Sequence, residues 1–394
     1  MKILFLTHRV PYPPNKGDKL RAFNILRYLS KKHSIWLACL SENMDDLRYK
    51  DELKKYCQKV EIVFMGIKWR RIKSMFCLFS KRPLTFAYFY SAKLDAKIKE
   101  VIQREKFDVI YIYSSSMVQY VLDEKNTPKL MDFIDMDSDK WKQYSRVARF
   151  PSKIIYRLES NRLRRYEEKI AQSVDCCIVT SLEEARKFKA SISNGEVEVV
   201  SNGVDFEYFK PGHDGYEKNR LIFSGMMDYF ANVDGILYFY KEILQLIKTE
   251  IPGIRLYIVG ANPSKCVQKL AKQDNIIVTG FVDDIRPYLE KSAVCVVPLR
   301  IACGIQNKIL EAMSMGVPVV TTKKALLGIE AVPGRDILVE DDPKKFAQKT
   351  IELLKDRKLR DRISQNARKL IEERYNWNIR LKGMDGIVER LMEK

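Results

Sequence analysis

The chain has 394 residues, of which 46% are hydrophobic and 31% are charged. This length suits two domains of about 150 to 200 residues each, and the composition is typical of a folded globular protein rather than a disordered one. No apolar run approaches the roughly 20 residues that cross a bilayer, and the N-terminal apolar run lacks the cleavage site of a signal peptide. We therefore predict that this run is the first β-strand of a cytoplasmic protein.

The net charge is +19, and most of it lies in the first half of the chain. Residues 1–200 contain 39 Lys and Arg against 25 Asp and Glu, whereas the remainder contains 31 against 26. Such a basic half suits anionic lipid, a phosphate-bearing substrate or nucleic acid. Because the chain has no helix-turn-helix, zinc-finger or RNP-like signature, we predict no nucleic-acid partner.

Cysteine and histidine are distributed in a way that disfavours a metal centre. The eight cysteines show no CxxC or Cys/His ligand spacing, and the chain has only three histidines. Several of the cysteines lie in apolar, strand-like runs, as the reduced core thiols of cytosolic proteins do. We predict neither a bound metal nor a resident cofactor.

Short β-branched and apolar runs alternate with helical stretches, which is the pattern of parallel sheets covered by helices. In the first half these runs are residues 2–7, 34–40, 60–65, 107–113, 129–134 and 174–180. In the second half they are residues 220–225, 254–260, 275–280, 293–299 and 317–322. The pattern predicts an α/β protein with two Rossmann-like, doubly wound parallel-sheet domains facing a cleft. We place them at residues 1–205 and 206–375, because Asn-Gly, Pro-Gly and Asp-Gly pairs interrupt the alternation within 199–215.

The first strand leads into a turn in which Gly17 precedes a predicted helix that begins near Asp18. Glycine lets a backbone approach a ligand closely, and the amides at a helix start attract anions. Gly17 is therefore a candidate contact for the phosphates of a donor, with Asp18 and Arg21 as candidates on the acceptor side. An ordinary strand-to-helix turn would explain the same glycine.

Two basic segments of the first half, residues 68–82 and 146–166, interleave Lys and Arg with large apolar side chains. A basic amphipathic element of this kind can lie on an anionic membrane surface. Packing of a helix over the sheet is the alternative. We expect a peripheral contact with the inner face of the cell membrane, which would suit a polyprenyl-linked acceptor.

In the second half, residues 298–322 place a loop and then a helix after a predicted strand. Gly304 and the amides of Ile305 and Gln306 would lie at the helix N-terminus, where a diphosphate can bind, and Lys308 would add positive charge. Glu311 falls on roughly the same helix face as Lys308, where its carboxylate could accept both hydroxyls of a ribose. The alternative is an ordinary amphipathic helix with a solvated Glu311.

Several segments resemble the retaining glycosyltransferases of family 4, which have the GT-B fold. The motifs are NKG (15–17), SNGVDFEYFKP (201–211), FSG (223–225), YIVG (257–260), TGFVDD (279–284) and NKILEAMSMGVPVV (307–320). NKGDKLRAFNIL (15–26), DFIDMDSDKW (132–141), GMMDYFANVDGI (225–236) and GIQNKILEAM (304–313) resemble the branch associated with exosortase and exopolysaccharide loci. The resemblance implies that a C-terminal helix, about 376–394, packs back on the N-terminal domain.

The resemblance also implies site residues and shows where this chain departs from the family. Gly225 of FSG and Glu311 match donor-binding positions, whereas Cys303 stands where the family has a glutamate. The family also tends to have Arg directly after the FSG-like glycine and Lys several residues later, but here Met226 and, approximately, Asn232 stand there. We expect Lys308, with Arg300 as a second candidate, to supply the missing charge.

The acidic segment 131–141 has three interpretations. Asp135 stands near the strand end at which the family usually has a histidine close to the reacting sugar, so we predict that it lines the catalytic centre. The second interpretation is a solvated or helix-capping loop. The third is a metal site, since Asp135 and Asp137 formally match a DxD motif.

These observations predict an enzyme that moves a sugar from an NDP-sugar to an acceptor hydroxyl, with retention and without a metal. The acceptor would be a polysaccharide or a polyprenyl-linked molecule. Two alternatives remain: a nucleotide-sugar epimerase of the same fold, and a catalytically silent protein that binds carbohydrate or lipid. A nicotinamide dehydrogenase is disfavoured because no GxGxxG follows the first strand.

Overall fold

The structure is a computed structural model that describes residues 1–192, 196–212 and 215–393. The chain forms two compact units, which we call the N-terminal unit (Met1–Ser201 and Leu381–Lys394) and the C-terminal unit (Asn202–Arg380). His213 and Asp214 of the predicted boundary segment lie outside the described residues. In the ranges that are described, no helix is both long enough and apolar enough to cross a bilayer.

In the N-terminal unit, the described residues form one parallel sheet with the strand order β3-β2-β1-β4-β5-β6-β7. Its strands are β1 (Lys2–Thr7), β2 (Ser34–Ser41), β3 (Lys59–Phe64), β4 (Val109–Tyr113), β5 (Lys129–Ile134), β6 (Cys176–Val179) and β7 (Val197–Val199). Its helices are α1 (Gly17–Leu29), α2 (Lys50–Leu53), α3 (Ile67–Phe76), α4 (Leu84–Tyr88), α5 (Ala92–Arg104), α6 (Asp137–Val147), α7 (Ser152–Ala171), α8 (Leu182–Ser191) and, from the chain end, α18 (Lys382–Met392).

The C-terminal unit repeats this plan with a parallel sheet of order β10-β9-β8-β11-β12-β13. Its strands are β8 (Glu217–Ser224), β9 (Arg255–Val259), β10 (Ile276–Gly280), β11 (Ser292–Val297), β12 (Val319–Thr321) and β13 (Leu338–Val339). Its helices are α9 (Phe230–Tyr238), α10 (Leu244–Glu250), α11 (Lys265–Gln268), α12 (Arg286–Glu290), α13 (Asn307–Ser314), α14 (Lys323–Leu326), α15 (Pro343–Lys355), α16 (Arg357–Arg374) and α17 (Trp377–Arg380).

The central strands are buried on both faces, which explains why they read as continuous apolar runs. In β1 and β11 nearly every residue is buried, and helices cover both sides of each sheet. The prediction of two doubly wound α/β units is confirmed. The sequence missed only short edge strands, β7 and β13, whose three and two residues carry too little periodicity.

The strand order fixes where a ligand can bind in each unit. In the first sheet the chain runs from β1 to β2 and β3, then returns to place β4 on the other side of β1. The second sheet does the same around β8, with β11 on its other side. Such switch points leave a crevice at the carboxyl ends of the two strands. The loops that follow β1, β4, β8 and β11 are therefore the candidate site loops.

The helix α18 extends the N-terminal unit with a segment from the end of the chain. Its buried face consists of Met384, Ile387, Val388 and Leu391. Asp385 on α18 accepts hydrogen bonds from the hydroxyl of Tyr28 on α1 (3.1 Å) and from Nζ of Lys32, which follows α1 (2.5 Å). Arg390 pairs with Glu198 near β7 at 2.6 Å. Polar contacts therefore flank the apolar packing of this helix.

Candidate active site

In the C-terminal unit, two glycines bring the loops after β8 and β9 into direct contact. Gly225 and Gly260 have φ angles of 143° and 150°, which disfavour any residue with a side chain. A Cβ on Gly260 would lie 1.8 Å from the Gly225 carbonyl oxygen. The Gly225 amide donates to the Val259 carbonyl at 3.0 Å, which holds the two loops together. Glycine is therefore required at both positions of this loop pair.

Lys308 of α13 reaches this loop pair from the switch-point side. A Cβ on Gly225 would lie 2.9 Å from Lys308 Nζ, so the ammonium group adjoins the Gly225 backbone. Lys308 Nζ donates to the side-chain oxygen of Asn232 at 2.5 Å and lies 4.5 Å from the centre of the Phe223 ring. Asn232 in turn donates to the Met226 carbonyl at 2.9 Å. The structure thus brings together two residues that the sequence proposed separately, Gly225 and Lys308.

The charge of Lys308 is poorly compensated. The residue is 9% exposed, and no carboxylate among the described residues forms an ion pair with it. Burial lowers the pKa of Lys308 to about 8. A buried cation with one neutral partner is costly to hold, and it favours the arrival of an anion.

The loop before α13 offers backbone donors close to this cation. α13 begins at Asn307, so Ile305 and Gln306 lie directly before its first turn. Within the described chain, the N–H groups of Gly304, Ile305 and Gln306 make no hydrogen bond. The Gln306 side chain folds back and donates to the carbonyls of Cys303 (3.2 Å) and Gly304 (3.3 Å). Unused amides before a helix are suited to bind phosphate oxygens.

Glu311 lies one turn further along α13 and is half-buried. Burial raises the pKa of its carboxyl to about 7, and the nearby positive charge of Lys308 opposes this rise. No side chain in the described ranges donates a hydrogen bond to Glu311 or pairs with it. A fully solvated glutamate, the alternative considered above, would not be half-buried. A half-buried carboxylate without a hydrogen-bond donor among the described residues can instead accept hydrogen bonds from the hydroxyls of a ligand.

Arg300, the second candidate for the missing positive charge, has a partner. Its guanidinium donates to the Asp234 carboxylate at 2.5 and 3.0 Å and lies 4.7 Å from the Tyr238 ring centre. Its charge is therefore already compensated. Of the two candidates, Lys308 is therefore the one that forms no ion pair with the described residues.

The carboxyl edge of the N-terminal sheet carries a network of paired charges that the sequence did not reveal. Asp18 Oδ2 lies 2.5 Å from Arg9 Nη1 and 3.3 Å from His8 Nε2. Arg9 Nε also donates to Glu42 at 3.1 Å, and Arg70 approaches the same carboxylate at 3.4 Å. Burial alone would raise the pKa of Asp18, but the His8 hydrogen bond and the Arg9 charge hold it well below its usual range. Asp18 thus has protein partners on this edge.

Gly17 is exposed, is the first residue of α1 and directly precedes Asp18 of this network. The histidine and arginine that follow β1, His8 and Arg9, were missed because a lone His-Arg pair after a strand has no distinctive spacing. Their position at the switch point of the first sheet was the signal that could have found them. The network lies where an acceptor-side site would be expected in this unit.

Arg21 lies deeper than its predicted acceptor-side role requires. It is 1% exposed, and its guanidinium contacts Asp132 at 2.9 and 3.0 Å and donates to the Val200 carbonyl at 2.8 Å. The Tyr111 hydroxyl donates to the same carboxylate at 2.7 Å. The acceptor-side role of Arg21 stays a prediction, and in this structure the arginine pairs with a core carboxylate under the sheet edge.

Asp135 follows β5 at the same edge and is positioned by an unusual backbone. Ile134 has a φ angle of 67°, a left-handed conformation that is strained for a β-branched residue. Asp135 accepts a hydrogen bond from the Thr180 hydroxyl at 2.8 Å. Burial, and then the negative charge of Glu184, raise the pKa of Asp135 above its usual range. A strained backbone that orients a half-buried carboxyl group is typical of functional positions.

The other acids of segment 131–141 have protein partners. Asp137 pairs with Lys140 and accepts from Ser115, and Asp139 pairs with Lys187 at 3.1 Å. Among the described residues, no three His, Cys, Asp or Glu side chains are placed to hold one metal ion. The DxD interpretation therefore gains no support from the positions of Asp135 and Asp137.

The basic segment 68–82 is described only in part. The structure does not describe the side chains of Lys68, Trp69, Arg71, Lys73, Met75 and Phe79. Arg70 is 1% exposed and contacts Glu42, so it cannot contact a membrane surface in this conformation. Arg82 donates to Gln119 at 2.6 Å. Membrane contact through this segment stays a prediction, with Arg70 held in a buried ion pair.

Comparison with known proteins gives this geometry a family context. Residues 218–356 match the model of the glycosyl transferases group 1 family. The capsular polysaccharide biosynthesis glycosyltransferase CapM of Staphylococcus aureus is 25% identical over 237 residues, which cover 54% of this chain and 61% of CapM.

Two solved structures resemble the whole chain. Sucrose-phosphate synthase of Thermosynechococcus elongatus has a TM-score of 0.78 at 17% identity and covers 100% of this chain and 99% of its own. HepE of Anabaena, solved with UDP and glucose, has a TM-score of 0.71 at 15% identity and covers 99% of both chains. The chain therefore has the GT-B fold, and its residues 218–356 are similar to the glycosyl transferases group 1 family.

Proposed function

We propose that this chain transfers a sugar from an NDP-sugar to an acceptor hydroxyl, with retention of the anomeric configuration, in polysaccharide or glycolipid assembly. The observation that carries the proposal is the pair of buried, under-compensated charges on α13. Among the described residues, Lys308 forms no ion pair and donates one hydrogen bond, to the neutral Asn232, and no side chain donates a hydrogen bond to Glu311. A nucleoside diphosphate provides the anion that Lys308 lacks and the hydroxyl donors that Glu311 lacks.

The donor half of the mechanism follows from these contacts. Lys308 and the free amides of Gly304, Ile305 and Gln306 hold the diphosphate, while Glu311 accepts hydrogen bonds from the ribose hydroxyls. Negative charge on the diphosphate grows as the bond to the sugar breaks, so the contacts made by Lys308 strengthen in the transition state. The ribose does not change during reaction, and Glu311 therefore contributes binding rather than rate.

The acceptor half of the proposal rests on the N-terminal unit. Asp135, aimed by the strained Ile134 and held by Thr180, hydrogen-bonds to a hydroxyl of the bound sugar or acceptor. The proton of the attacking hydroxyl passes to the departing phosphate, so no protein base is needed. Exchange of Asp135 for Asn should lower kcat and leave the affinity for UDP unchanged. A parallel loss of UDP affinity would contradict this assignment.

The names of two similar proteins support the substrate class. HepE was solved with UDP and glucose, and CapM is named for capsular polysaccharide biosynthesis. From these two names we propose that the donor of this chain is a nucleotide sugar and that the acceptor is a polysaccharide or a polyprenyl-linked molecule. Peripheral contact with the inner face of the cell membrane through 68–82 and 146–166 belongs to the same proposal.

The first test is thermal stabilisation of the purified protein by UDP-, GDP- and dTDP-sugars, since a ligand that binds the native state raises Tm. The best donor is then incubated with membrane extract, and the transferred sugar is measured with and without EDTA. We expect transfer to be insensitive to the chelator. Release or epimerisation of sugar without acceptor product would favour the epimerase alternative, and stabilisation without turnover would favour a silent binding protein.

A further inference from the structure

A cavity of about 650 Å³ opens among α6, α7 and α8 of the N-terminal unit. One acidic residue, Asp139, lines it, and Lys187 already pairs with Asp139 at 3.1 Å. The basic residues of the lining are Lys142, Arg146, Lys153, Arg157, Arg164 and Lys187. The cavity is therefore strongly positive, even though the acidic segment 131–141 contributes part of its wall.

Five of these six cations have no acidic partner among the residues that the structure describes. Apart from Lys187, none of the basic side chains in the cavity wall forms an ion pair with a residue in the described ranges. Like charges around a concave surface repel one another and focus a positive potential into the cavity. A small, highly charged anion is the ligand that this positive potential attracts most strongly.

Exposed apolar side chains border the same cavity. Phe150, two residues before α7, is 80% exposed, and Ile154 on the first turn of α7 is 59% exposed. On a helix, Ile154 and Leu158 form a stripe next to the stripe of Lys153 and Arg157, because residues four apart are neighbours. Water-exposed apolar groups beside unpaired cations are typical of helices that lie at a membrane interface.

We propose that the α6–α8 cavity binds the terminal phosphate of an anionic lipid, as a monoester or diphosphate headgroup, while Phe150 and Ile154 enter the apolar layer. Basic pockets at a membrane surface bind phosphorylated headgroups in this way. A free phosphate would use the cavity but not the apolar border, so the two features together select the lipid. The inference deepens the membrane contact of the proposed function and does not depend on the donor chemistry of α13.

The test is co-sedimentation of the full-length protein with vesicles of matched surface charge. The vesicles contain phosphatidylcholine with either phosphatidic acid, a terminal phosphate, or phosphatidylglycerol, a phosphodiester. The variant Lys142→Gln with Arg157→Gln removes two cavity cations. The matched control, Arg357→Gln with Lys358→Gln, removes one arginine and one lysine that line a different cavity in the C-terminal unit.

We expect preferential binding to phosphatidic acid and a loss of about 30-fold in the cavity variant, since each cation near an anionic surface contributes roughly fivefold. The control should retain wild-type affinity. Ile154→Ser should weaken vesicle binding but leave the affinity for soluble pyrophosphate, measured by calorimetry, unchanged. UDP binding should be normal in every variant, which separates a failure of this inference from a failure of the donor assignment.

Three results would overturn the inference. Equal binding to the two kinds of anionic vesicle would mean that vesicle binding depends on surface charge alone and that the cavity is not a phosphate site. An equal loss in the cavity variant and in the control would attribute binding to net charge. Pyrophosphate binding that falls in the cavity variant, with vesicle binding absent, would assign the cavity to a soluble phosphate.

Discussion

At the carboxyl edge of the N-terminal sheet, Asp18, Arg9 and Glu42 neutralise one another, and Arg21 does the same with Asp132 beneath them. At the corresponding edge of the C-terminal sheet, Lys308 has a neutral partner and Glu311 has no described one. The two sheets share one topology, but among the described residues the buried charges at the first edge are paired and those at the second edge are not. Paired charge fixes a loop geometry, whereas under-compensated charge is available to a ligand. Substitutions at the two edges should therefore have different consequences, namely loss of stability at the first and loss of function at the second.

The largest effect is expected from Arg21→Met, which leaves the Asp132 carboxylate buried without its ion pair. Removing one member of a buried pair typically costs about 3–5 kcal/mol. Hydrogen exchange of the β4 and β5 amides reports this loss locally, without assuming that two units unfold in one step. Arg27→Met, on the same helix but half-exposed, is the matched control and should cost far less. Unchanged protection in Arg21→Met would mean that the pair contributes no net stability.

Lys308→Ala tests the opposite behaviour at the second edge. Diphosphate charge grows in the transition state, so we expect kcat to fall on the order of 100-fold. Stability should change little, because the wild-type protein already bears the cost of a buried cation. Lys344→Ala, an exposed lysine on α15, is the control. If the variant kept wild-type kcat and had a lowered Tm, Lys308 would be a structural residue, and this result would contradict its assignment to the diphosphate.

Glu311→Gln should act on binding rather than on rate. A hydrogen bond to a charged group contributes roughly 1.5–3 kcal/mol, which corresponds to a rise in KM and in the Kd for UDP of roughly 10- to 150-fold. The value of kcat should stay close to wild type, as expected when ground state and transition state lose the same contact. Exposed Glu352→Gln on α15 is the control. A fall in kcat with unchanged KM would place Glu311 at the reacting sugar instead of the ribose.

The smallest effect is the pH dependence of nucleotide binding. Glu311 binds as a carboxylate and has a pKa of about 7, so affinity should fall about tenfold per pH unit below that value. Lys308 binds as an ammonium and has a pKa of about 8, so affinity should also fall as pH rises above it. Calorimetry with UDP at a series of pH values should show both falls in affinity, the acidic limb and the alkaline limb of the profile. A nucleoside without phosphate should keep only the acidic limb, and Lys308→Ala should lose the alkaline one.

The sequence predicted the features that depend on local pattern. Parallel strands buried on both faces read as apolar runs, and the Gly304–Glu311 segment combines a glycine, a cation and a carboxylate within eight residues. Both features can be read because their parts are close in the chain. Edge strands of two or three residues fall below the length at which periodicity is visible.

The missed features depend on partners that lie far away in the sequence. Asn232 meets Lys308 across 76 residues, and Arg21 meets Asp132 across 111. Arg21 and Arg70 look like surface residues in a helical pattern, because arginine is rarely buried without a partner. Nothing local identifies that partner. Hence the sequence could show which residue types meet at the second edge, but not which of their charges would lack an ion pair.

The return of the chain to the N-terminal unit has a consequence for biosynthesis. Helix α18 belongs to that unit, yet it follows the whole of Asn202–Arg380 in the chain. At about 5–20 residues per second, a ribosome needs on the order of 10–35 s to synthesise the intervening segment. During that interval the surface that receives Met384, Ile387, Val388 and Leu391 has no cover. Although the N-terminal unit is the first to be made, its packing is thus completed only when the last helix emerges.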